Sequence, residues 1–223
     1  MPVRLLYIVS HPIQYQAPLL RLIAAEDAIS LRVLFENTGS LGRHFDPGFG
    51  REIEWDIDLC SGYDNAALDD GNLEAEIGNC DVLWVHGWQT GTLRSAIAIA
   101  DSMGKPVLMR GENWSGAMPD GPGLRGIAKR LYLRKIFRHC RGFLCIGSMN
   151  RQYYSDHGIG DDRLFDMPYA IDNRAFAEKA GQVDIAELRR SLGVPEGRRV
   201  ILYAGKLSAR KHPDVLLEAW QSA

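Results

Sequence analysis

The sequence predicts an α/β protein built on a doubly wound parallel sheet. Apolar runs of strand length alternate with segments of helical spacing over most of the chain, which is the pattern of a parallel sheet with helices on both faces. The first run, residues 4–10, is almost entirely apolar, as expected of a strand that is covered on both sides. With 223 residues, the chain is long enough to bury a substantial core.

The predicted elements follow one another in a regular order. Strands are predicted at residues 4–10, 30–35, 53–59, 81–86, 106–110, 142–146 and 164–169. Helices are predicted at residues 15–25, 64–77, 92–103, 124–140, 148–157 and 184–192. The first helix has apolar residues at helical spacing, and the last is followed by Gly193, a common helix terminator. Two glycine-rich segments, 38–51 and 111–123, are predicted to be long loops.

Composition narrows the classes of function. The formal net charge is −2, which gives no support to nucleic-acid binding. The four cysteines form no C-x-x-C pair, and this is typical of a reduced, cytoplasmic protein with buried thiols. The first apolar run is too short for a signal peptide, and no window is apolar for long enough to span a bilayer. We therefore expect a cytoplasmic protein.

The carboxyl ends of the strands are the expected place for a ligand. In doubly wound sheets, ligands bind outside these ends, near the point where the strand order reverses. This rule selects four segments, which are residues 11–16, 86–90, 110–114 and 205–211.

The segment near the carboxyl terminus is the most specific of the four. Residues 199–207 have the pattern of a buried strand that ends on Gly205 and Lys206, and Lys211 follows just before a predicted helix at 213–220. A small residue, two cations and a helix amino terminus together favour the binding of a phosphate. We interpret residues 198–223 as the first strand and helix of a second domain.

Several other motifs do not fit their usual function. The G-x-G-x-x-G match at 121–126 has no strand directly before it, and Gly205-Lys206 lacks the remaining residues of a P-loop. Asp56 and Asp58 form a D-x-D pattern, but alternation places both on one solvated strand face. We predict no metal site, since no histidine or cysteine cluster has zinc spacing either.

Four arginines form one stripe of the helix predicted at 124–140. They are spaced at i, i+4, i+8 and i+11 and comprise Arg130, Arg134, Arg138 and Arg141. One interpretation is an ordinary solvated helix face. The other is peripheral contact with an anionic membrane surface or with a lipid-phosphate acceptor.

Three segments resemble the glycosyltransferases of the GT-B fold. They are residues 81–90 (DVLWVHGWQT), 167–172 (MPYAID) and 203–207 (YAGKL) followed by Lys211. Together they are similar to glycosyltransferase family 4, the retaining transferases that use nucleotide sugars. The resemblance implies two Rossmann-like domains and a role in cell-envelope polysaccharide synthesis. It assigns residues 1–172 to an acceptor-binding domain, 173–197 to a linker with a short helix, and 198–223 to the start of a truncated nucleotide-sugar-binding domain.

The resemblance also assigns roles to individual residues. It places the donor phosphates at Gly205, Lys206 and Lys211, with lysine where the family has arginine. It implies catalytic roles for Glu112 and His86, although a loop carboxylate and a packed strand-end histidine are equally good interpretations. The predicted acceptor-binding residues are His11, Gln14, Tyr15, Trp88 and Asn113. No cofactor or metal is implied, because the nucleotide diphosphate sugar is itself the donor substrate.

Two departures from the family limit the prediction. The loop after the first strand contains His11 to Gln16 in place of the glycine pair of many members. The two-glutamate motif that holds the donor sugar in the family has no counterpart among the 223 residues, so we expect this chain alone to be inactive. Two alternatives remain open. One is a nucleotide-sugar 2-epimerase of the same fold, and the other is a non-catalytic module that binds a sugar or a partner.

Overall fold

The computed structural model describes residues 1–116 and 123–222. Residues 121 and 122 of the G-x-G-x-x-G match, and residues 117–122 of the predicted loop, lie outside the described residues. The chain divides into two compact units. The first comprises Met1–Leu41 and Ile57–Ile171, and the second comprises Gly42–Asp56 and Asp172–Ala223.

The described residues form strands and helices in the following order. The strands are β1 (Val3–Val9), β2 (Ile29–Phe35), β3 (His44–Asp46), β4 (Arg51–Ile53), β5 (Asp64–Ala67), β6 (Val82–His86), β7 (Val107–Arg110), β8 (Gly142–Cys145) and β9 (Leu164–Asp166). The helices are α1 (Ala17–Ala24), α2 (Leu73–Asn79), α3 (Gly91–Ser102), α4 (Gly123–Phe137), α5 (Ser148–Asp156), α6 (Asn173–Gly181), α7 (Ile185–Ser191) and α8 (Pro213–Gln221).

The first unit contains the predicted doubly wound parallel sheet. Its seven strands lie in the order β5-β2-β1-β6-β7-β8-β9, and every neighbouring pair is parallel. The chain builds outward from β1 in one direction and then from β6 in the other. The strand order therefore reverses between β1 and β6, and the carboxyl ends of these two strands form the crevice where ligands are expected.

Apolar side chains cover both faces of this sheet. Within β1, Leu6 and Ile8 belong to one core cluster, whereas Tyr7 and Val9 belong to the other. Successive residues of a strand point to opposite faces, so a strand between two cores must be apolar throughout. This arrangement explains the unbroken run from which the parallel sheet was predicted.

The helix predicted at 64–77 was wrong in its first part, and the strand predicted at 53–59 was wrong after its first residue. Residues 64–67 form β5 and not the start of a helix, because they pair with Arg32–Phe35 of β2 and this pairing overrides a weak helical pattern. Residues 54–59 form no strand after β4 ends at Ile53. There the Asp58 carboxylate accepts hydrogen bonds from the backbone of Cys60 and Ser61, which favours a turn.

The second unit contains a hairpin and three helices. Strands β3 and β4 form this antiparallel pair. Strand β3 lies inside the predicted loop at 38–51, and β4 begins at the last residue of that loop. Helix α6 was not predicted, although Asp172 caps it by accepting a hydrogen bond from the backbone of Ala175 at 3.0 Å. Helices α7 and α8 lie close to their predicted positions.

The strand predicted at 199–207 does not form. Val200, Ile201 and Leu202 are exposed, and no described strand lies beside them. A strand exists only when a neighbouring strand satisfies its backbone groups, so apolar character alone is not sufficient here.

None of the helices in the described part of the chain combines the length and apolar character needed to cross a bilayer.

Candidate active site at the carboxyl edge of the sheet

Polar side chains gather where β1, β6 and β7 end. His86 is the last residue of β6 and Arg110 is the last residue of β7, and the two are paired in register. The loop after β1 leads into Gln16, which is buried. Residues from three of the four segments selected in the sequence are thus brought to one edge of the sheet.

His86 is held by two buried polar side chains. The Tyr7 hydroxyl donates a hydrogen bond to Gln16 Oε1 at 3.0 Å and lies 2.9 Å from His86 Nδ1. Because Gln16 already takes the hydroxyl proton, the bond to His86 requires a proton on Nδ1, which leaves Nε2 of the neutral ring as an acceptor. Gln16 also lies close to the ring, with Nε2 3.5 Å from Nδ1.

The imidazole of His86 is neutral at physiological pH. Burial, together with the positive charge of Arg110, lowers the pKa of His86 from its ordinary value of 6.5 to about 4. A neutral histidine at the end of a strand can accept a hydrogen bond or a proton from a ligand hydroxyl.

Arg110 is a fully buried cation without a carboxylate partner among the described residues. Its Nη2 donates to the carbonyl of Met167 at 3.1 Å and to that of Pro168 at 3.4 Å. Its guanidinium carbon lies 4.5 Å from the centre of the Tyr169 ring. In the described part of the chain, Nε and Nη1 have no hydrogen-bond partner. Arg110 therefore joins β7 to the segment after β9 and places positive charge beside His86.

Glu112 lies in the loop after β7 with its side chain exposed. The Tyr169 hydroxyl donates a hydrogen bond to Glu112 Oε1, and the Tyr169 ring meets the edge of Tyr15 with centroids 5.1 Å apart. Burial and the adjacent Glu112 raise the pKa of Tyr169, so this hydroxyl keeps its proton. The Glu112 carboxylate is thus held by the Tyr169 hydroxyl and is also accessible to solvent.

The remaining predicted acceptor-binding residues occupy different environments. His11 is exposed, with its Nδ1 2.9 Å from Ser10 Oγ, and Gln14 is half-buried in the same loop. Trp88 packs against the larger core cluster and meets Tyr132 edge to face. For Trp88, this is the contact expected of a structural side chain.

Asn113 is buried and makes contacts of a structural kind. Its backbone carbonyl accepts a hydrogen bond from Asn150 Nδ2 at 2.7 Å, and its Oδ1 lies 3.5 Å from Gln89 Nε2. The Asn150 side chain in turn accepts a hydrogen bond from the backbone of Ile146. The predicted role of Asn113 in acceptor binding stays a prediction.

In the second unit, Lys206 forms an ion pair with Asp46. Its Nζ lies 2.8 Å from both carboxylate oxygens and 4.9 Å from the centre of the Phe49 ring. This pairing lowers the pKa of Asp46, whose carboxylate also accepts hydrogen bonds from the backbone of Gly48 and Phe49. A Cβ at Gly48 would lie 2.5 Å from Lys206 Cδ, so the lysine side chain would have to shift if this residue were larger.

The other residues of the predicted phosphate site are exposed. Lys211 precedes α8, and Gly205 lies in irregular backbone. The lysine expected to bind a phosphate is therefore neutralised by an internal carboxylate, and its proposed role requires Asp46 to be displaced.

The two aspartates of the D-x-D pattern have other partners. Asp56 pairs with Lys179 at 2.9 Å, and Asp58 closes the turn described above. No cluster of three metal-ligating side chains occurs among the described residues.

Sequence reasoning missed four residues of the site. Arg110 and Gln16 fall inside the selected segments, so the strand-end rule contained a signal for them. Tyr7 lies within an apolar strand, where nothing local distinguishes it. Tyr169 lies in the segment 167–172, but the resemblance of that segment assigned no role to it. Only the paired strands bring the Tyr7 hydroxyl beside His86.

No protein-family model matches the sequence, and no curated protein matches it. Among solved structures, the chain is similar to Alr3699/HepE of Anabaena. The HepE complex with UDP is 11% identical with a TM-score of 0.66, over 100% of this chain and 58% of HepE. The complex with UDP-glucose is 12% identical with a TM-score of 0.62, over 99% of this chain and 57% of HepE.

Structures of UDP-N-acetylglucosamine 2-epimerases, including that of Neisseria meningitidis, match with TM-scores of 0.49 or lower. The present chain spans less than two thirds of the length of HepE. The likeness to HepE, together with the seven-stranded parallel sheet, shows an α/β Rossmann-like fold of the GT-B type.

Proposed function

We propose that this chain takes part in the transfer of a sugar from a nucleotide diphosphate sugar to a glycan or lipid-linked acceptor. The observation that carries the proposal is the cluster at the carboxyl edge of the sheet, where a neutral imidazole, a buried guanidinium and an exposed carboxylate lie together. The choice of donor is supported by the fold, because HepE structures of this fold hold UDP-glucose, or UDP and glucose.

The proposed reaction exchanges one bond at the anomeric carbon of the sugar. The bond to the diphosphate oxygen breaks, and its electron pair leaves with the diphosphate. The oxygen of the acceptor hydroxyl forms the new bond and gives up its proton. Negative charge therefore grows on the leaving group and positive charge on the sugar, and fixed charges of opposite sign lower the barrier.

The residues of the chain fit these needs as follows. Lys206 and Lys211 would neutralise the leaving diphosphate, and Gly205 would let it approach the backbone. Glu112 would bind acceptor hydroxyls or stabilise positive charge at the sugar carbon. His86 Nε2 would accept a hydrogen bond from an acceptor hydroxyl near neutral pH. Membership of glycosyltransferase family 4, retention of configuration and independence of metal belong to the proposal and are supported by the motif at 203–211.

Donor binding tests the proposal directly. We would measure the binding of UDP-glucose, UDP-N-acetylglucosamine and UDP to the chain by isothermal titration calorimetry. Lys206→Ala is expected to weaken binding roughly tenfold or more, because a charge-assisted contact to phosphate is lost. Lys179→Ala is the matched control, since Lys179 is also a second-unit lysine paired with an aspartate.

Each contrary result has a distinct meaning. The absence of saturable nucleotide-sugar binding would overturn the proposal. Saturable glycan binding without any effect of nucleotide would indicate a binding module. If UDP is bound, UDP release from UDP-glucose is then measured with and without glycan and lipid-linked acceptors, and this chain alone is expected to release none. Release that needs no acceptor would contradict glycosyl transfer and favour a reaction of the 2-epimerase type.

A further inference from the structure

Helix α4 has two separate apolar faces. Leu133, Ile136 and Phe137 are buried against the larger core cluster. On the opposite side, Leu124, Ile127 and Leu131 are 85%, 57% and 60% exposed. At 3.6 residues per turn, these three positions fall within about 60° of one another and point away from the core. The second apolar face is covered by nothing in the described part of the first unit.

Helix α4 and the four residues that follow it carry a concentrated positive charge. Residues 123–141 contain seven lysines and arginines and no acidic residue, in a chain whose formal net charge is −2. These cations are Arg125, Lys129, Arg130, Arg134, Lys135, Arg138 and Arg141. The charged side chains within this segment are therefore all cations.

The structure changes which cations are available at this face. Arg130 donates to the carbonyl of Asp156 at 2.5 Å, and Arg134 donates to that of His157 at 3.3 Å. Both arginines therefore bind the carboxyl-terminal end of α5, where cations are favourable. Lys135 and Arg138 are exposed. Lys135 follows Leu131 by one helical turn. Arg138 directly follows the last residue of α4, and its backbone N–H still donates to the carbonyl of Arg134 at 3.1 Å, so both cations lie beside the apolar face.

We propose that α4 lies on an anionic lipid surface, with Leu124, Ile127 and Leu131 inserted at the boundary between headgroups and acyl chains. Lys135 and Arg138 then contact the lipid phosphates. An apolar strip beside cations is the pattern of a helix that lies in a membrane interface. A nucleic-acid backbone would use the cations alone, since its phosphates offer no apolar surface. The proposal does not depend on the proposed glycosyl transfer.

Vesicle binding tests this surface. The whole chain is mixed with phosphatidylcholine vesicles, and separately with vesicles that also contain phosphatidylglycerol, and the bound fraction is measured by flotation. We expect binding to the anionic vesicles and little binding to the neutral ones. Two sets of substitutions at exposed positions separate the two contributions. One is Leu124→Ser with Ile127→Ser and Leu131→Ser, and the other is Lys135→Gln with Arg138→Gln.

The expected effects differ in size and in salt dependence. Each surface cation contributes about fivefold in affinity, so the charge variant is expected to bind roughly 25-fold more weakly. The apolar variant is expected to lose more than about tenfold, and its residual binding should be more sensitive to salt. Arg174→Gln with Arg199→Gln removes the same charge elsewhere, and Leu22→Ser removes a different exposed leucine; both controls should bind as the parent does.

Three results would overturn the proposal. The first is undiminished vesicle binding by the apolar variant, which would show non-specific electrostatic adsorption. The second is equal binding to neutral and anionic vesicles. The third is displacement of the protein from vesicles by an RNA homopolymer, if that RNA binds the parent and the apolar variant equally. This result would indicate that the cations bind nucleic acid. Circular dichroism of each variant verifies that the fold is kept.

Discussion

The parent protein is expected to lose stability on mild acidification, and replacing His86 by glutamine should make this loss much smaller. The folded protein holds this imidazole with a pKa of about 4, below its ordinary value of 6.5. As the pH falls, the unfolded chain therefore binds the proton first, and protonation favours unfolding. The contribution of His86 is complete above pH 6.5 and is lost progressively as the pH falls toward 4.

The size of the effect follows from the difference between the two pKa values. The free energy of unfolding is expected to fall by about 2 kcal/mol by about pH 5 and by about 3 kcal/mol by about pH 4, through this one group. The glutamine variant also loses the hydrogen bond between Tyr7 and His86, but that loss shifts its stability by the same amount at every pH. The prediction therefore concerns how steeply the free energy of unfolding changes with pH, and not the constant difference between parent and variant.

Urea unfolding measured from neutral pH to about pH 5 checks this, with parent and variant compared at each pH. His212→Asn is the matched control, because the side chain of His212 is 70% exposed and asparagine tolerates its left-handed backbone. An NMR titration of the His86 ring gives the pKa directly. An NMR pKa near 6.5 would refute the idea that burial and Arg110 lower the pKa of His86. So would an equally steep change of the free energy of unfolding with pH in the parent and in His86→Gln.

Three further outcomes are expected. Phe137→Ala should lower the free energy of unfolding by about 3–5 kcal/mol in urea denaturation, because its fully buried ring packs on two aromatic neighbours; a loss under about 1 kcal/mol would contradict the core described. Arg110→Met should raise the pKa of His86 in the NMR titration, and an unchanged value would show that Arg110 exerts no field there. Asp46→Asn should tighten UDP-glucose binding severalfold in calorimetry, since Lys206 no longer pairs with a carboxylate; unchanged affinity would mean that the ion pair does not compete with phosphate.

The architecture of the first unit was predictable because its signals are local. Strands buried on both faces must be apolar without a break, and helices between them must repeat every 3.6 residues, so both can be recognised along the chain. The strand-end rule then located His86, Glu112 and the loop after β1 before any contact was known.

Elements that depend on a neighbour were not predictable in the same way. Residues 64–67 became a strand because β2 was available to pair with them, whereas residues 199–207 did not because no described strand lies beside them. The apolar residues around α4 gave no clear pattern in the sequence, since one set is buried and the other is exposed.

By itself, the sequence predicted six of the seven strands of the parallel sheet, and the edge at which polar residues gather. Only the tertiary structure decided which charges face each other. It buried Arg110 beside His86, paired Lys206 with Asp46, and used Arg130 and Arg134 to bind the end of α5. Periodicity is a property of neighbouring residues, but burial, protonation and ion pairing depend on groups brought together from distant parts of the chain.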